Sequence, residues 1–237
     1  REEAAPWLNA AGIDLADPLE VGPLLQQLEA ATAAPLRAAP LVGGQWQTGK
    51  ARKIYSPADR ERLVGQVVEA DEQAIELALQ QALLAQPEWD EGGVEHRAAC
   101  LERMALLLEQ HCEELMGLIV AEAGRTIDDA LSEVREAVDF CRYYAQQGRA
   151  GFAAPLVLPG PTGETNELTL HGRGVFACIS PWNFPLAIFI GQVAAALVAG
   201  DIKKDFNQGA RMAEEVIDSG RAKESLNMLV EISQRLG

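Results

Sequence analysis

The side chains with intrinsic nucleophilic chemistry are four thiols, Cys100, Cys112, Cys141 and Cys178. No two of them form a Cys-x-x-Cys pair, and their spacing does not match that of a zinc site. Three fall within helical patterns and Cys178 falls within an apolar run, where burial would raise the thiol pKa and suppress nucleophilic attack. The pattern is typical of free, reduced thiols in a cytoplasmic protein.

A short loop that contains Ser180 and Asn183 is the other position suited to chemistry. It follows an apolar run, Gly174 to Ile179, that predicts a central parallel strand covered on both faces. A helix is predicted next, from Leu186 to Val198, so the order of elements predicts the first half of a crossover unit. Because ligands bind at the carboxyl ends of strands in such sheets, we expect a binding site at this loop. Asn183 taken alone has a second interpretation, a turn residue that caps the following helix.

The three histidines, His96, His111 and His171, are scattered along the chain. A metal site needs more ligands at matched spacing, so we predict no metal and assign these residues to the surface or the core.

Helices dominate the chain ahead of the loop. Asp17-Pro18-Leu19-Glu20 predicts a helix start, because it combines a cap, a proline and an acid in the first turn. Apolar residues at helical spacing then predict helices over Asp71 to Gln86, Val94 to Ala123, and Thr126 to about Gln147. Short strands are predicted around a Gly43-Gly44 turn and at Ile54–Pro57, Leu63–Val68, Leu156–Leu158 and Glu167–Leu170.

Composition excludes some partners. The 237-residue chain is 48% hydrophobic, enough for a sizeable core, and its formal net charge of -15 would repel nucleic acid and anionic membranes. The uncharged run from Gly174 to Gly200 is interrupted by Pro181 and Pro185, so it is too short for the roughly 20-residue helix that spans a bilayer. The chain starts without Met or a signal-peptide pattern, and we expect it to be a piece of a longer protein.

The loop lies within a motif that identifies a family. Ile179-Ser180-Pro181-Trp182-Asn183-Phe184-Pro185 resembles the loop of the same form in the aldehyde dehydrogenase superfamily. The longer run from Gly172 to Ala187, GRGVFACISPWNFPLA, is similar to one branch in particular. That branch is the glutamate-semialdehyde (pyrroline-5-carboxylate) dehydrogenase module of the bifunctional proline-utilisation flavoenzymes. The helix pair from Glu95 to Gln147 also fits it, and the resemblance covers about residues 1–200.

The resemblance implies a fold class and a reaction. The fold class is α/β: the N-terminal part of an aldehyde dehydrogenase (Rossmann-like) domain, helix-rich, with an incomplete parallel sheet and a helical tail. The reaction is the NAD-dependent oxidation of L-glutamate γ-semialdehyde to glutamate in proline catabolism. In that chemistry a cysteine thiolate attacks the small-molecule aldehyde, hydride passes to NAD, and water releases the acid.

Roles for particular residues follow from the same resemblance. Asn183 would donate a hydrogen bond to the oxyanion that forms when the thiolate attacks. The backbone around Ile179, Ser180, Pro181 and Trp182 would line the nicotinamide side of the NAD cleft. For Trp182, plain core packing is an equal alternative.

Beyond Gly200 the family pattern stops. The family continues with a lysine that contacts the adenosine ribose, a second glycine turn, a glutamate base and the nucleophilic cysteine. Lys203 and Lys204 do not stand in that lysine's context, and no cysteine of the chain has the catalytic setting. We therefore expect this chain to be catalytically incomplete on its own.

The tail resembles a different family. Three runs, Ala194 to Asp201, Gly209-Ala210 and Ala213 to Ala222, are similar to the last helices of anthranilate phosphoribosyltransferase, which contribute no catalytic residue that could be transferred here. We predict three segments: a helical linker over 1–37, the dehydrogenase part over 38–200 and a helical tail of different ancestry over 201–237. A chimeric origin of the join near Gly200 is one hypothesis, and sequencing the source gene across it is the test.

Three functions remain open at this point. The first is a dehydrogenase fragment that retains part of the NAD cleft but does not turn over. The second is a non-catalytic interaction fragment that associates with itself or with partners through unpaired strand edges. The third, from the tail alone, is a phosphoribosyltransferase relative.

Overall fold

The computed structural model describes residues 8–199, in which long helices alternate with short strands. The helices are α1 (Pro18–Ala31), α2 (Glu72–Glu91), α3 (Gly93–Gln110), α4 (Cys112–Leu118), α5 (Ile127–Phe152) and α6 (Ala187–Ala199), with a π-helical turn at Ile119–Ala123. The strands are β1 (Leu36–Ala38), β2 (Leu41–Val42), β3 (Gln45–Trp46), β4 (Ala51–Tyr55), β5 (Leu63–Val68), β6 (Leu156–Leu158) and β7 (Asn166–Leu168). The helix-rich α/β class predicted from the sequence is confirmed; the tail, 201–237, lies outside the described residues.

Helix starts follow the side chains that cap them. The Asp17 carboxylate accepts a hydrogen bond from the backbone N–H of Leu19, and the Thr126 hydroxyl accepts one from Asp129. Each satisfies a donor that has no partner within its helix. Gly124, which precedes α5, has a φ of 68°, the left-handed conformation that favours glycine after a helix. The predicted starts of α1 and α5 and the predicted stop at Gly124 are confirmed.

Some predicted helix ends are wrong. Helix α2 continues through Pro87 to Glu91, because the Trp89 indole N–H donates to the carbonyl oxygen of Leu197, 2.9 Å away, and holds the last turn in place. Helix α5 continues through Gly148 to Phe152. A Cβ on Gly148 would lie 3.0 Å from Val198 in α6, so this glycine permits close helix packing instead of ending a helix.

The helix predicted from Val94 to Ala123 is interrupted. It breaks at His111, where φ is -108°, and α4 and the π-helical turn follow. No glycine or proline marks this break, so the sequence pattern gave no signal for it.

Three small sheets accompany the helices. Strand β5 pairs in parallel with β1 and antiparallel with β4, while β2–β3 and β6–β7 are antiparallel hairpins. The β2–β3 hairpin turns at Gly43 and Gly44, whose φ values of 56° and 76° match a type I′ turn. The predicted Gly-Gly hairpin is therefore confirmed.

The predicted central strand at Gly174–Ile179 is wrong within the described residues. This segment forms no strand, and the Phe176 and Ile179 side chains are 48% and 79% exposed. A strand forms only where a neighbouring strand pairs with its backbone. An apolar run indicates that a segment favours burial, but it does not show that such a neighbour is present. In the part of the chain that the structure describes, the one parallel pair is β1–β5.

The core lies between α3, α5 and α6. Leu101, Val138 and Cys141 have no exposed surface, and each of the three helices contributes small residues that allow close approach. Burying a leucine of this kind stabilises the fold by about 1.5–3 kcal/mol. The side chains shared by these helices are Ala98, Leu101, Ala105, Leu108, Ala137, Val138, Cys141, Ala145, Ile190, Ala194 and Val198.

A second hydrophobic cluster joins α1 to α4, the π-helical turn and α5. Leu24 and Leu28 pack with Met116, Ile119 and Val134. The predicted helical linker thus packs against the body of the protein in its described portion. No helix among residues 8–199 is long and apolar enough to cross a membrane.

Candidate active-site loop

Asn183 lies exposed in the turn between the extended segment and α6. Within the described residues its side-chain amide makes no hydrogen bond to another group. An amide without an internal partner is free to donate to a ligand.

The start of α6 is capped by an acid from α5 and not by Asn183. The Glu133 Oε2 atom accepts hydrogen bonds from the backbone N–H groups of Leu186 and Ala187, at 3.1 and 3.4 Å. These amides begin the helix and have no partner within it. Asn183 therefore does not serve as the helix cap that its residue type alone allowed.

Arg125 contacts the same loop from the residues that precede α5. Its guanidinium carbon lies 4.5 Å from the centroid of the Phe184 ring, within cation–π range. Its Nε atom lies 3.7 Å from Glu133 Oε1, and a second nitrogen lies 3.5 Å from Asp129. The Arg125–Glu133 distance is short enough for electrostatic attraction but too long for a hydrogen bond.

The N-terminal side of the loop is fixed by Gln192 of α6. Its side-chain oxygen accepts from the Ile179 N–H at 2.9 Å, and its side-chain nitrogen donates to the Ile179 carbonyl at 3.2 Å. The glutamine thereby replaces the strand neighbour that the described residues do not supply. The Ser180 hydroxyl closes the loop by donating to the Pro185 carbonyl at 2.9 Å.

A cleft of about 470 Å³ opens beside the loop. Trp182 and Pro185 line it on one side, and Leu118, Ile119 and Glu122 line it on the other. Its volume is in the range of small-molecule sites, which start at about 300 Å³. Ile119 and Glu122 belong to the π-helical turn, a deviation that often occurs at functional sites.

The family is decided by comparison with known proteins. The model of the aldehyde dehydrogenase family matches residues 46–202, more than half of the chain. The chain belongs to the aldehyde dehydrogenase family. The resemblance drawn from the loop motif is confirmed.

Individual proteins and solved structures are similar to this chain over most of its length. The bifunctional protein PutA of Salmonella typhimurium is 41% identical over 194 residues, which make up 82% of this chain and 14% of that protein. The solved structure of proline utilization A from Bdellovibrio bacteriovorus aligns with a TM-score of 0.78 and 32% identity, over 84% of this chain and 21% of its own. A Thermus 1-pyrroline-5-carboxylate dehydrogenase with bound NAD aligns with a TM-score of 0.76 and 30% identity, over 83% and 39%. The chain thus spans less than half the length of each of these three relatives.

The four residues predicted to line an NAD cleft in this aldehyde dehydrogenase chain, Ile179 to Trp182, differ in exposure and in hydrogen bonding. Ile179 and Trp182 expose 79% and 83% of their surface, so Trp182 is not a core residue within residues 8–199. Two large apolar side chains exposed beside an unpaired amide form a surface of the kind that often marks a binding site. Ser180 and the Ile179 backbone are occupied by Pro185 and Gln192. They therefore shape the loop, whereas the Trp182 side chain is left exposed.

Three of the four thiols have pKa values above the ordinary value for cysteine. Burial raises the pKa of Cys112 and of Cys141 to about 11, and burial also raises the pKa of Cys178. Attack on an aldehyde requires the thiolate, so these three thiols are weak nucleophiles at neutral pH. All four cysteines are free thiols, and within residues 8–199 no three His, Cys, Asp or Glu side chains cluster as a metal site.

Sequence reasoning missed the residues that hold the loop: Arg125, Glu133 and Gln192. A signal for Glu133 was present. It shares the buried stripe of α5 with Ala130, Val134 and Ala137, and an acid on such a stripe is rarely tolerated without partners. Arg125 and Gln192 carried no comparable signal, because long polar side chains outside a buried helix stripe are ordinarily solvated.

Proposed function

We propose that this chain carries the oxyanion-binding loop of an NAD-dependent dehydrogenase that oxidises L-glutamate γ-semialdehyde to glutamate in proline catabolism. The names of the relatives support this proposal: one is a bifunctional PutA and another is a 1-pyrroline-5-carboxylate dehydrogenase with bound NAD. Trp182 and the backbone from Ile179 to Pro181 contribute the nicotinamide side of the cofactor cleft.

The role of Asn183 follows from where charge develops. When a thiolate attacks the aldehyde carbon, the carbonyl electron pair moves to oxygen and leaves an oxyanion. The Asn183 side-chain N–H groups donate to this oxygen and lower the barrier by about 2.7–4 kcal/mol, the usual contribution of one such donor. NAD, when bound, would accept the hydride that leaves the same carbon, and water would release the acid from the resulting thioester.

One observation carries the proposal. Asn183 is exposed and unpaired within the described residues, on a loop whose backbone is held on both sides. A residue that served only as a turn or a cap would be expected to use its amide internally. The neighbouring cleft is lined by Trp182 and Pro185 of the same loop but not by Asn183 itself.

We also propose that the chain alone does not turn over. Cys112, Cys141 and Cys178 are kept protonated by burial, and the sequence offers no counterpart of the family's glutamate base or of most of its NAD site. A cytoplasmic location and the different ancestry of 201–237 remain predictions.

Calorimetric titration of the purified chain with NAD tests the binding half of this proposal, with Trp182→Ala as the variant that should weaken any heat observed. NADH formation with glutamate semialdehyde tests the other half. Measurable turnover by the purified chain would overturn the proposal that it is catalytically incomplete. Sequencing the source gene across residue 200 tests whether the join there is native, and the role of Asn183 is assayed in the protein that this gene encodes, the full gene product.

A second function, self-association without catalysis, is favoured by one feature. Phe176, Ile179 and Trp182 expose apolar surface along the segment that forms no strand. Light scattering that shows a monomer at all concentrations would exclude it. The tail resemblance predicts a third function, which absence of phosphoribosyl pyrophosphate binding would eliminate.

A further inference from the structure

Glu133 is the one carboxylate with no exposed surface among the residues that the structure describes. Removing a carboxylate from water is costly unless hydrogen bonds and opposite charge compensate it. The contacts of Glu133 therefore indicate what the residue does. It lies on α5, and its contacts lead to the other elements around the Asn183 loop.

Both oxygens of Glu133 serve this loop. Oε2 accepts from the N–H groups of Leu186 and Ala187, where the loop ends and α6 begins. A negative charge is favoured at the N-terminus of a helix. Oε1 faces the Arg125 guanidinium, which in turn lies over the ring of Phe184.

Asn183 is therefore bracketed by fixed neighbours. Phe184 and Leu186 are held by the Arg125–Glu133 pair, and Ile179 is held by Gln192. Asn183 itself has no internal partner within the described chain. The direction of its amide depends on the backbone that these neighbours fix.

We propose that Glu133, together with Arg125, is the positioning residue of the oxyanion-binding loop. This inference rests on the function proposed above for Asn183. A donor must lie within hydrogen-bond distance of the developing oxyanion to act on it. Loosening the end of the loop lowers the fraction of molecules in which the amide is correctly placed, and a displacement of about 1 Å can cost 10²-fold in rate.

Glu133→Gln tests the charge while keeping the shape. A glutamine has one acceptor oxygen and one donor NH2, so it cannot face both the helix N–H groups and the guanidinium with acceptors. In the full gene product, with NAD and aldehyde saturating, we expect kcat to fall by about tenfold or more. Glu102→Gln is the matched control, because it removes an arginine-paired carboxylate at the surface of α3, and it should leave kcat unchanged.

A double-mutant cycle distinguishes positioning from general stabilisation. If Glu133 acts through Asn183, the effect of Glu133→Gln on kcat should shrink to within about twofold in an Asn183→Ala background. Equal losses in both backgrounds, or no loss in either, would overturn the inference while leaving the role of Asn183 intact. An Asn183→Ala variant with wild-type kcat would instead refute the proposed function.

Hydrogen exchange gives a readout on this chain without turnover. The amides of Leu186 and Ala187 should exchange at least about tenfold faster in Glu133→Gln than in Glu102→Gln, while core amides of α3 keep their protection. Unchanged exchange at these two amides would contradict the inference. If Glu133→Gln does not fold, Arg125→Met tests the same pair from its more exposed side, with Arg149→Met as its control.

Discussion

Helix α5 takes part in two clusters of charged side chains, one buried and one at the surface. At its N-terminal half the buried Glu133 faces Arg125, at 3.7 Å, and accepts two backbone hydrogen bonds from the loop. Near its C-terminal end Arg149 contacts Glu95 at 2.9 Å and Glu102 at 2.5 Å, with side chains that remain partly in water. The closer contacts belong to the surface cluster, and the fully buried carboxylate belongs to the other.

Burial and not distance decides what each cluster contributes. Exposed ion pairs contribute about 0–1 kcal/mol, because water and salt screen them and two long side chains must be ordered. Breaking a buried pair leaves an uncompensated charge and costs about 3–5 kcal/mol. The surface cluster therefore contributes little to the contact of α3 with α5, whereas the buried one contributes more strongly to the attachment of the Asn183 loop and the start of α6.

The largest expected effect comes from Glu133→Ala. It removes the cap of α6 and leaves Arg125 without its buried partner, so we expect a loss of about 3–5 kcal/mol in the free energy of unfolding. Chemical denaturation followed by circular dichroism measures it. A loss below about 1 kcal/mol in the free energy of unfolding would mean that the buried cluster contributes no more than a surface ion pair.

Arg125→Met should have an intermediate effect. Without Arg125 the Glu133 carboxylate still accepts from the N–H groups of Leu186 and Ala187, so we expect this change to cost less than removal of Glu133, about 1–3 kcal/mol. The same denaturation experiment applies. An effect larger than that of Glu133→Ala would mean that stacking on Phe184, and not the carboxylate, holds the loop.

Arg149→Met should have the smallest effect, a loss of about 1 kcal/mol or less in the free energy of unfolding at neutral pH. This difference from wild type should disappear in high salt, which screens exposed ion pairs. The Arg149 hydrogen bond holds the pKa of Glu102 below its ordinary value of 4.5. A lowered carboxyl pKa stabilises the fold above that ordinary value, and the contribution disappears as pH falls through the folded-state pKa. The difference between wild type and Arg149→Met should therefore vanish in acid. A difference that persists there would show that packing, not charge, links these helices.

The sequence was sufficient for features that are determined locally. Caps at Asp17 and Thr126, the left-handed Gly124 and the Gly43-Gly44 hairpin depend on a few adjacent residues, and the structure has them where they were predicted. Some features that depend on distant partners were mispredicted. Pro87 stays within a helix because Trp89 reaches Leu197, and Gly148 stays within one because Val198 packs on it.

The site divides in the same way. Asn183 and its neighbours were identified from a contiguous motif, and the structure leaves that amide exposed. The groups that hold the loop lie far apart in sequence, so no spacing pattern could have joined Arg125, Glu133 and Gln192 to it. The strand expected at Gly174–Ile179 failed for a related reason, because strand formation requires a neighbouring strand.

The most direct test of the central claim is the rate of the chemical step in the full gene product with Asn183 replaced by alanine. If the amide stabilises the oxyanion, single-turnover NADH formation from glutamate semialdehyde should slow by about 10²–10³-fold, with little change in the affinity for NAD. A rate within about twofold of wild type would contradict the assignment of Asn183 as the oxyanion donor.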